Sequence, residues 1–323
     1  MALGAEDVTH RGPPSLWVRS TRRQAPDKLR AGPEVHSGRV PEGDVAWRVS
    51  RRLDAALRDR VLTLSDLRWP SLATVDLVGR RVLGCTSRGK HILTRIEAAG
   101  GDPPVTLHSH LRMEGSWHVH RTGDRWSARN ATFVRAVLGN DTWTAVGHKL
   151  GMLDLVPTAA EDTLVGHLGP DVLGDDWDPE EAVRRTASDP ARTIGEALLD
   201  QRNLAGVGTF FMAEGLFLRG LTPWTPVHDV PDLPGLVALL HRLLDVARVR
   251  GVQVTTGDLR PGRTNYVHAR SGRPCLRCRT SVRVAPIGVA PQDRVAFYCP
   301  HCQRGPTPTD DGRPQRPLGA TRP

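Results

Sequence analysis

Four cysteines near the C-terminal end constrain this chain more than any other feature. They form two close pairs, Cys275-Leu-Arg-Cys278 and Cys299-Pro-His-Cys302, with 20 residues between them. Two C-x₂-C knuckles at this separation can close a tetrahedral thiolate site on one divalent ion. The expectation is one structural Zn2+ per chain, held by Cys275, Cys278, Cys299 and Cys302; the alternative is a reduced pair of loops with no metal. Four thiolates leave no open coordination position, so such a metal is architectural and not catalytic. The segment between the knuckles carries Arg283 and Arg294 and reads as a hairpin that presents a side chain to a polyanion. The fifth cysteine, Cys85, stands alone. Paired cysteines at metal spacing fit a reducing cytoplasm better than a disulfide framework.

The charge balance points to the same class of partner. The chain carries a formal charge of +9, a pI near 10.1, and far more arginine than lysine. That balance suits a polyanion, nucleic acid first; an arginine-rich solvated surface is the plainer alternative. At 323 residues the chain has room for two compact domains plus tails. No apolar run approaches the roughly 18 residues of a membrane span, and the N-terminus has no apolar signal-peptide core.

Residues 1–39 are rich in Pro, Gly and Arg and show no helix or strand period. They read as disordered, or as upstream DNA translated by mistake. From Pro41 a helix pattern begins, with Val49, Leu53, Ala56 and Leu57 on one face. Short alternating runs follow ("RVLGCTS", "HILTRI", "PVTLHSHL", "SWHVH", "ATFVRAVL", "TWTAV"), divided by turns such as "GGDPP" and "GND". This is how an antiparallel sandwich or barrel reads. After about residue 156 the pattern turns helical. "DWDPEEAVRR" opens a helix with Asp178 as N-cap, Pro179 first and Glu181 third. Leu236, Leu239, Leu240, Leu243, Leu244 and Ala247 share one face of a later core helix. The expected divisions are 40–156, 157–260 and 261–305, with a disordered tail at 306–323.

Three further stretches offer chemistry. In "LLDQRNLAGVGTFFMAEGLF" one helix ends, the backbone turns at Gly206 and Gly208, and a new helix opens. Exposed amides at that start would make a phosphate site, unless the glycines serve only close packing. "SRGKHIL" places Lys90 at a strand entry, where a solvated surface lysine is the plain reading. "HSHLRMEGSW" puts His110 and Met113 on a strand-to-strand loop. An exposed Met there could wedge into a base stack, or it could pack on the core.

In order along the chain, "PEGD", "RGK", "HLRM", "LLDQ…AGVG…E" and the C-x₂-C…R-x₄-C-x₂-C hairpin resemble the formamidopyrimidine-DNA glycosylase and endonuclease VIII family. The similarity covers roughly residues 40–304. Its actinobacterial endonuclease VIII 2 branch is resembled most, through "HLRMEGSWHV", "VGHLGPDVLGDDWDP" and "ALLDQRNLAGVG". The resemblance implies an α+β multidomain fold: an N-terminal helix with a two-sheet β-sandwich, a helix-two-turn-helix domain and a zinc-finger hairpin. It implies a bifunctional glycosylase and abasic-site lyase, monomeric and cytoplasmic at the nucleoid, with damaged DNA in the cleft between its halves. Pro41 would be the nucleophile, Glu42 the acid/base beside it, and Lys90 the lysine that protonates the sugar or holds phosphate. Arg294 would bind phosphate for δ-elimination. His110 would contact phosphate, and Met113 would fill the gap left by the flipped base.

The chemistry suits these residue types. A terminal α-amine titrates near pH 8, and a secondary amine forms an iminium that draws electrons from the sugar. A neighbouring carboxylate can move protons. The chain departs from the family pattern in three places. Thr209 stands where an asparagine is usual, with less reach toward phosphate. Gly195 replaces a lysine, for which Arg192 could substitute. Pro41 is internal, and an internal proline has no N–H. Val40 is what a GTG start codon read as internal would give, so the expected working chain begins at Pro41. If the extension is retained, the chain is instead a zinc-dependent damaged-DNA-binding protein without catalysis, or a zinc-ribbon adaptor for protein partners. Retention of Glu42, Lys90 and Arg294 argues for the enzyme. In "VGHKLGM", His148 and Leu150 stand where the formamidopyrimidine branch has an orphan-base-reading Arg and a wedging Phe. Loose reading of the opposite strand follows. Expected substrates are oxidised pyrimidines and abasic sites, in duplex and also in single-stranded or bubble DNA.

Overall fold

The computed structural model describes residues 40–126 and 132–308. Residues 1–39 and 309–323 lie outside them; of the tail expected to be disordered from 306, residues 306–308 are described, and the Pro306 carbonyl accepts from Thr222 Oγ1 at 2.6 Å. Helix α1 spans Gly43–Leu57 and buries Ala46, Ser50, Leu53, Ala56 and Leu57, one stripe at helical spacing. Eight strands follow: β1 (Leu64–Leu67), β2 (Val82–Arg88), β3 (His91–Ile96), β4 (Val105–His110), β5 (Ser116–Arg121), β6 (Val134–Gly139), β7 (Trp143–His148) and β8 (Met152–Pro157). They make two four-stranded sheets, ordered β1-β6-β7-β5 and β2-β3-β4-β8, and every pairing is antiparallel. Leu53 and Leu57 share one core with Ile92, Ile96, Leu107 and Leu153 of one sheet and Trp117, Ala136 and Leu138 of the other. Each fully buried Leu or Ile among them contributes about 1.5–3 kcal/mol. The sequence pattern shows six of these strands; β1 and β8 do not stand out from it.

A second core gathers the helices. After the one-turn α2 (Asp162–Val165) come α3 (Pro179–Thr186), α4 (Ile194–Leu199), α5 (Thr209–Arg219) and α6 (Leu233–Arg250). The start of α3 is as read from the sequence: the Asp178 side chain accepts from Glu181 N at 3.0 Å. Residues Phe210 to Phe217 of α5 are all buried. One side of this helix faces the second core. Its other side, with Ala213 and Phe217, supports a third cluster that contains Cys275, Val282, Phe297 and Cys299. There β9 (Arg283–Ile287) and β10 (Arg294–Tyr298) form an antiparallel hairpin. Buried Glu214 of α5 ties down the approach to it, accepting from Tyr266 N, Val267 N and His268 N at 2.8, 2.8 and 2.9 Å. No helix among the described residues is long and apolar enough to cross a membrane.

Candidate active site

The N-terminal ends of α1 and α5 meet head to head. Gly43 N donates to Gly206 O at 2.9 Å, and a Cβ on Gly43 would stand 2.9 Å from Gly206 Cα. Only glycine allows this approach. Glu42 occupies the N-cap position of α1 but makes no side-chain hydrogen bond to that helix. Its carboxylate crosses to α5 instead. Oε2 accepts from Gly208 N at 2.8 Å and Oε1 from Phe210 N at 2.7 Å, with Phe211 N 3.4 Å from Oε2.

This arrangement corrects the phosphate site read into the glycine turn. The amides at the start of α5 hold an anion, as a helix N-terminus should, but that anion is Glu42. Gly206 is likewise committed: its N donates to Gln201 Oε1 at 3.0 Å and its carbonyl accepts from Gly43. Both glycines are buried. Thr209, the first residue of α5, is half-buried and is the part of the turn left for an outside ligand.

Lys90 arrives from the opposite side. A Cβ on Gly208 would lie 2.5 Å from the Glu42 carboxyl carbon and 2.8 Å from Lys90 Nζ, so acid and amine converge over one bare backbone position. Burial pushes Glu42 up to about 7, against the pull of Lys90 and the amides. Burial also lowers Lys90; Glu42 opposes this and Arg294 adds to it. Lys90 follows Gly89, whose φ is +57° and whose N donates to Asp171 Oδ2 at 2.8 Å. Asp171 also accepts from Leu173 N at 3.0 Å and is 3% exposed. It positions the lysine turn and was not singled out in the sequence, although it lies within "VGHLGPDVLGDDWDP".

Pro41 is half-buried beside Glu42. The Val40 carbonyl that acylates it accepts from Gln253 Nε2 at 3.1 Å, and the same amide donates to Asp44 Oδ1 at 3.0 Å. In this bond the proline nitrogen shares its lone pair with the carbonyl and is no nucleophile.

His110 ends β4 directly opposite His91, the first residue of β3. His110 Nδ1 accepts from Arg112 N at 2.9 Å, which leaves Nε2 to carry the proton and donate. Burial, then Lys90 and Arg112, push it down to about 4, which leaves the ring neutral with Nε2–H as a donor. A second pair of histidines, unremarked in the sequence, lies alongside. His91 Nδ1 is 2.8 Å from His108 Nε2, and His108 Nδ1 is 2.9 Å from Asp154 Oδ2. The three groups form one hydrogen-bonded chain, His91–His108–Asp154, that runs from the rim into β8.

Met113 is 68% exposed and does not pack on the core. Leu150, at 3% exposed, lies in the sandwich core against Trp117 and Gly147, so it does not take the place of the wedging Phe. His148 is half-buried, and its Nδ1 is buried without a hydrogen-bond partner. Arg192 is paired with Asp200 at 2.9 Å. A Cβ on Gly195 would run into Ile287 Cδ1, so no lysine fits there under the hairpin. Arg294, at the start of β10, is exposed; its Nη1 donates to the Gln292 and Asp293 carbonyls at 2.9 and 3.1 Å.

The four knuckle cysteines come together. All four sulfurs lie within 4.8 Å of one another, with Cys275–Cys302 at 4.0 Å and Cys278–Cys299 at 3.4 Å. Zn–S bonds of about 2.3 Å in a tetrahedron require S···S near 3.8 Å. The set can hold a metal ion.

Comparison with known proteins gives consistent matches. Residues 40–150 match the formamidopyrimidine-DNA glycosylase N-terminal domain. A probable endonuclease 8 2 of Streptomyces coelicolor is 53% identical over 276 residues, 85% of this chain and 98% of the relative. A DNA-(apurinic or apyrimidinic site) lyase of Mycolicibacterium smegmatis is 39% identical over 264 residues, 82% of this chain and 99% of its own. Among solved structures, Lactococcus lactis Fpg in complex with an abasic site containing DNA superposes with a TM-score of 0.63. It is 22% identical and covers 83% of this chain and 100% of its own.

Proposed function

The chain belongs to the formamidopyrimidine-DNA glycosylase and endonuclease VIII family, and we propose how its residues divide the work. It is a bifunctional DNA glycosylase and abasic-site lyase that acts on oxidised bases. The observation that carries the residue-level reading is the convergence of Glu42 and Lys90 over Gly208, immediately beside Pro41. The freed Pro41 nitrogen attacks C1′ of the damaged nucleotide and the base leaves. The resulting iminium withdraws electrons, so the 3′ and then the 5′ phosphate can be eliminated. Glu42, poised near neutrality, accepts and returns protons at the sugar. Lys90 supplies a proton or holds phosphate, Arg294 binds the phosphate lost in δ-elimination, and His110 and Thr209 contact the backbone. Taking the base out of the stack costs a few kcal/mol, least for a damaged pair, and Met113 fills the space it leaves. Cys275, Cys278, Cys299 and Cys302 hold one structural Zn2+, which shapes the hairpin and takes no part in the chemistry. The work is done in the cytoplasm, where thiolates stay reduced and nucleoid DNA is within reach.

This chemistry needs a chain that starts at Pro41. The family match beginning at residue 40 supports that start. Borohydride trapping on abasic DNA tests it. The form beginning at Pro41 should give a covalent adduct and the 323-residue form none. Equal trapping by both would make another amine, Lys90 first, the nucleophile.

A further inference from the structure

The two sheets end on a common rim. His91, His110 and Met152 align across one sheet, and Ser116, His148 and Val134 across the other. The loops 111–115 and 149–151 join the two sets, and the Lys90 turn stands at the same end. On this rim Leu111 and Leu150 turn inward, at 2% and 3% exposed, whereas Met113 and Phe133 turn out, at 68% and 44%.

Phe133 is held in place. Lys149, at φ +48°, donates its backbone N to the Phe133 carbonyl at 2.8 Å. Its Nζ sits 4.8 Å from the Phe133 ring centroid and 2.8 Å from Glu114 Oε2. Glu114 is the neighbour of Met113, so one lysine ties both outward apolar side chains into a single surface. With its charge already matched by Glu114, Lys149 serves that surface better as a brace than as a phosphate contact.

An exposed ring braced on the rim of a base-excision site needs an occupant. Withdrawing one nucleotide leaves two vacancies: the gap in its own strand and an orphaned base in the other. An aromatic face stacks on any base without reading its edge, and an apolar wedge fills the gap. Resting on the glycosylase reading above, we propose that Phe133 stacks on the orphaned base of the intact strand, with Lys149 and Glu114 holding the ring. Phe133 is thus a residue of duplex recognition and not of the chemistry. Its indifference to base identity fits a rim on which His148 replaces a base-reading arginine.

The test uses the protein beginning at Pro41 and a duplex with a stable abasic analogue opposite 2-aminopurine. Stacking quenches that probe, so emission should be lower in the complexes of the unaltered protein and Phe133→Trp than in that of Phe133→Ala. Phe133→Ala should also lower excision from duplex DNA by about tenfold, while borohydride trapping on single-stranded abasic DNA stays unchanged. Quenching by Phe133→Ala equal to that of the unaltered protein, or an equal loss on duplex and single strand, would overturn the assignment. Failure of the unaltered protein to trap single-stranded abasic DNA would instead count against the glycosylase reading.

Discussion

Glu42 shows how much a single carboxyl can be asked to do. Its burial favours the neutral form, and three amides and a lysine favour the ion. The balance lies near 7, where a group can both take and give a proton. Glu42→Gln should therefore remove an inflection near pH 7 from the rate profile. It should abolish base excision more completely than strand cleavage at preformed abasic sites. Stability should respond too. A carboxyl whose folded value is raised above its ordinary 4.5 favours the folded state fully below that value, and the contribution is lost as pH rises through about 7. Chemical denaturation between pH 4.5 and 7 should accordingly show a shallower decline in Glu42→Gln. Gly208→Ala probes the same point by volume. A methyl group there meets both Glu42 and Lys90, and overpacking of this kind costs about 1–3 kcal/mol. Turnover should fall about ten- to a hundredfold, and an unchanged rate would show that the two groups do not act together. The identity of Glu42 was legible from "PEGD", but its partners were not. A sequence shows that a helix will open with bare amides; it does not show which anion will come to them from 166 residues away.

At the scale of elements, legibility followed periodicity. The alternating strands and the capped helix α3 are readable because side-chain direction and capping are local. β1 escaped because it has four residues and only Leu67 is buried. β8 escaped because "MLDLVP" sits at the change from strand to helix pattern, and only its pairing along the full length of β4 makes it a strand. The missing lysine at Gly195 also needed the fold: its space is filled by Ile287 of the hairpin. That hairpin invites a metal test. Elemental analysis of fresh protein should find one zinc per chain. Cys302→Ser should loosen β9–β10 and lower the salt slope of DNA binding by about 1, the loss of one phosphate contact at Arg294. A variant that binds DNA with an unaltered salt slope would separate the metal from that arginine.

Across the whole molecule, the order of motifs was more informative than any one of them, because each marks a part that must meet the others at one seam. Substrate choice belongs to this scale, since the rim that bears on it is assembled from both sheets. With Leu150 turned inward and His148 short of a fork of donors, the opposite strand should be read loosely. Thymine glycol and dihydrouracil should be excised opposite all four bases and from single strands; a strong preference for 8-oxoguanine opposite cytosine would reverse that expectation. The long span between Glu42 and its amides has a further consequence, for synthesis. A ribosome completes β1 to β8 well before it reaches Gly208, Phe210 and Phe211, which lie 166, 168 and 169 residues beyond Glu42. Through that interval the nascent chain has its acid but no cradle to orient it. Glu42 is therefore oriented, and the acid armed, only once α5 has folded.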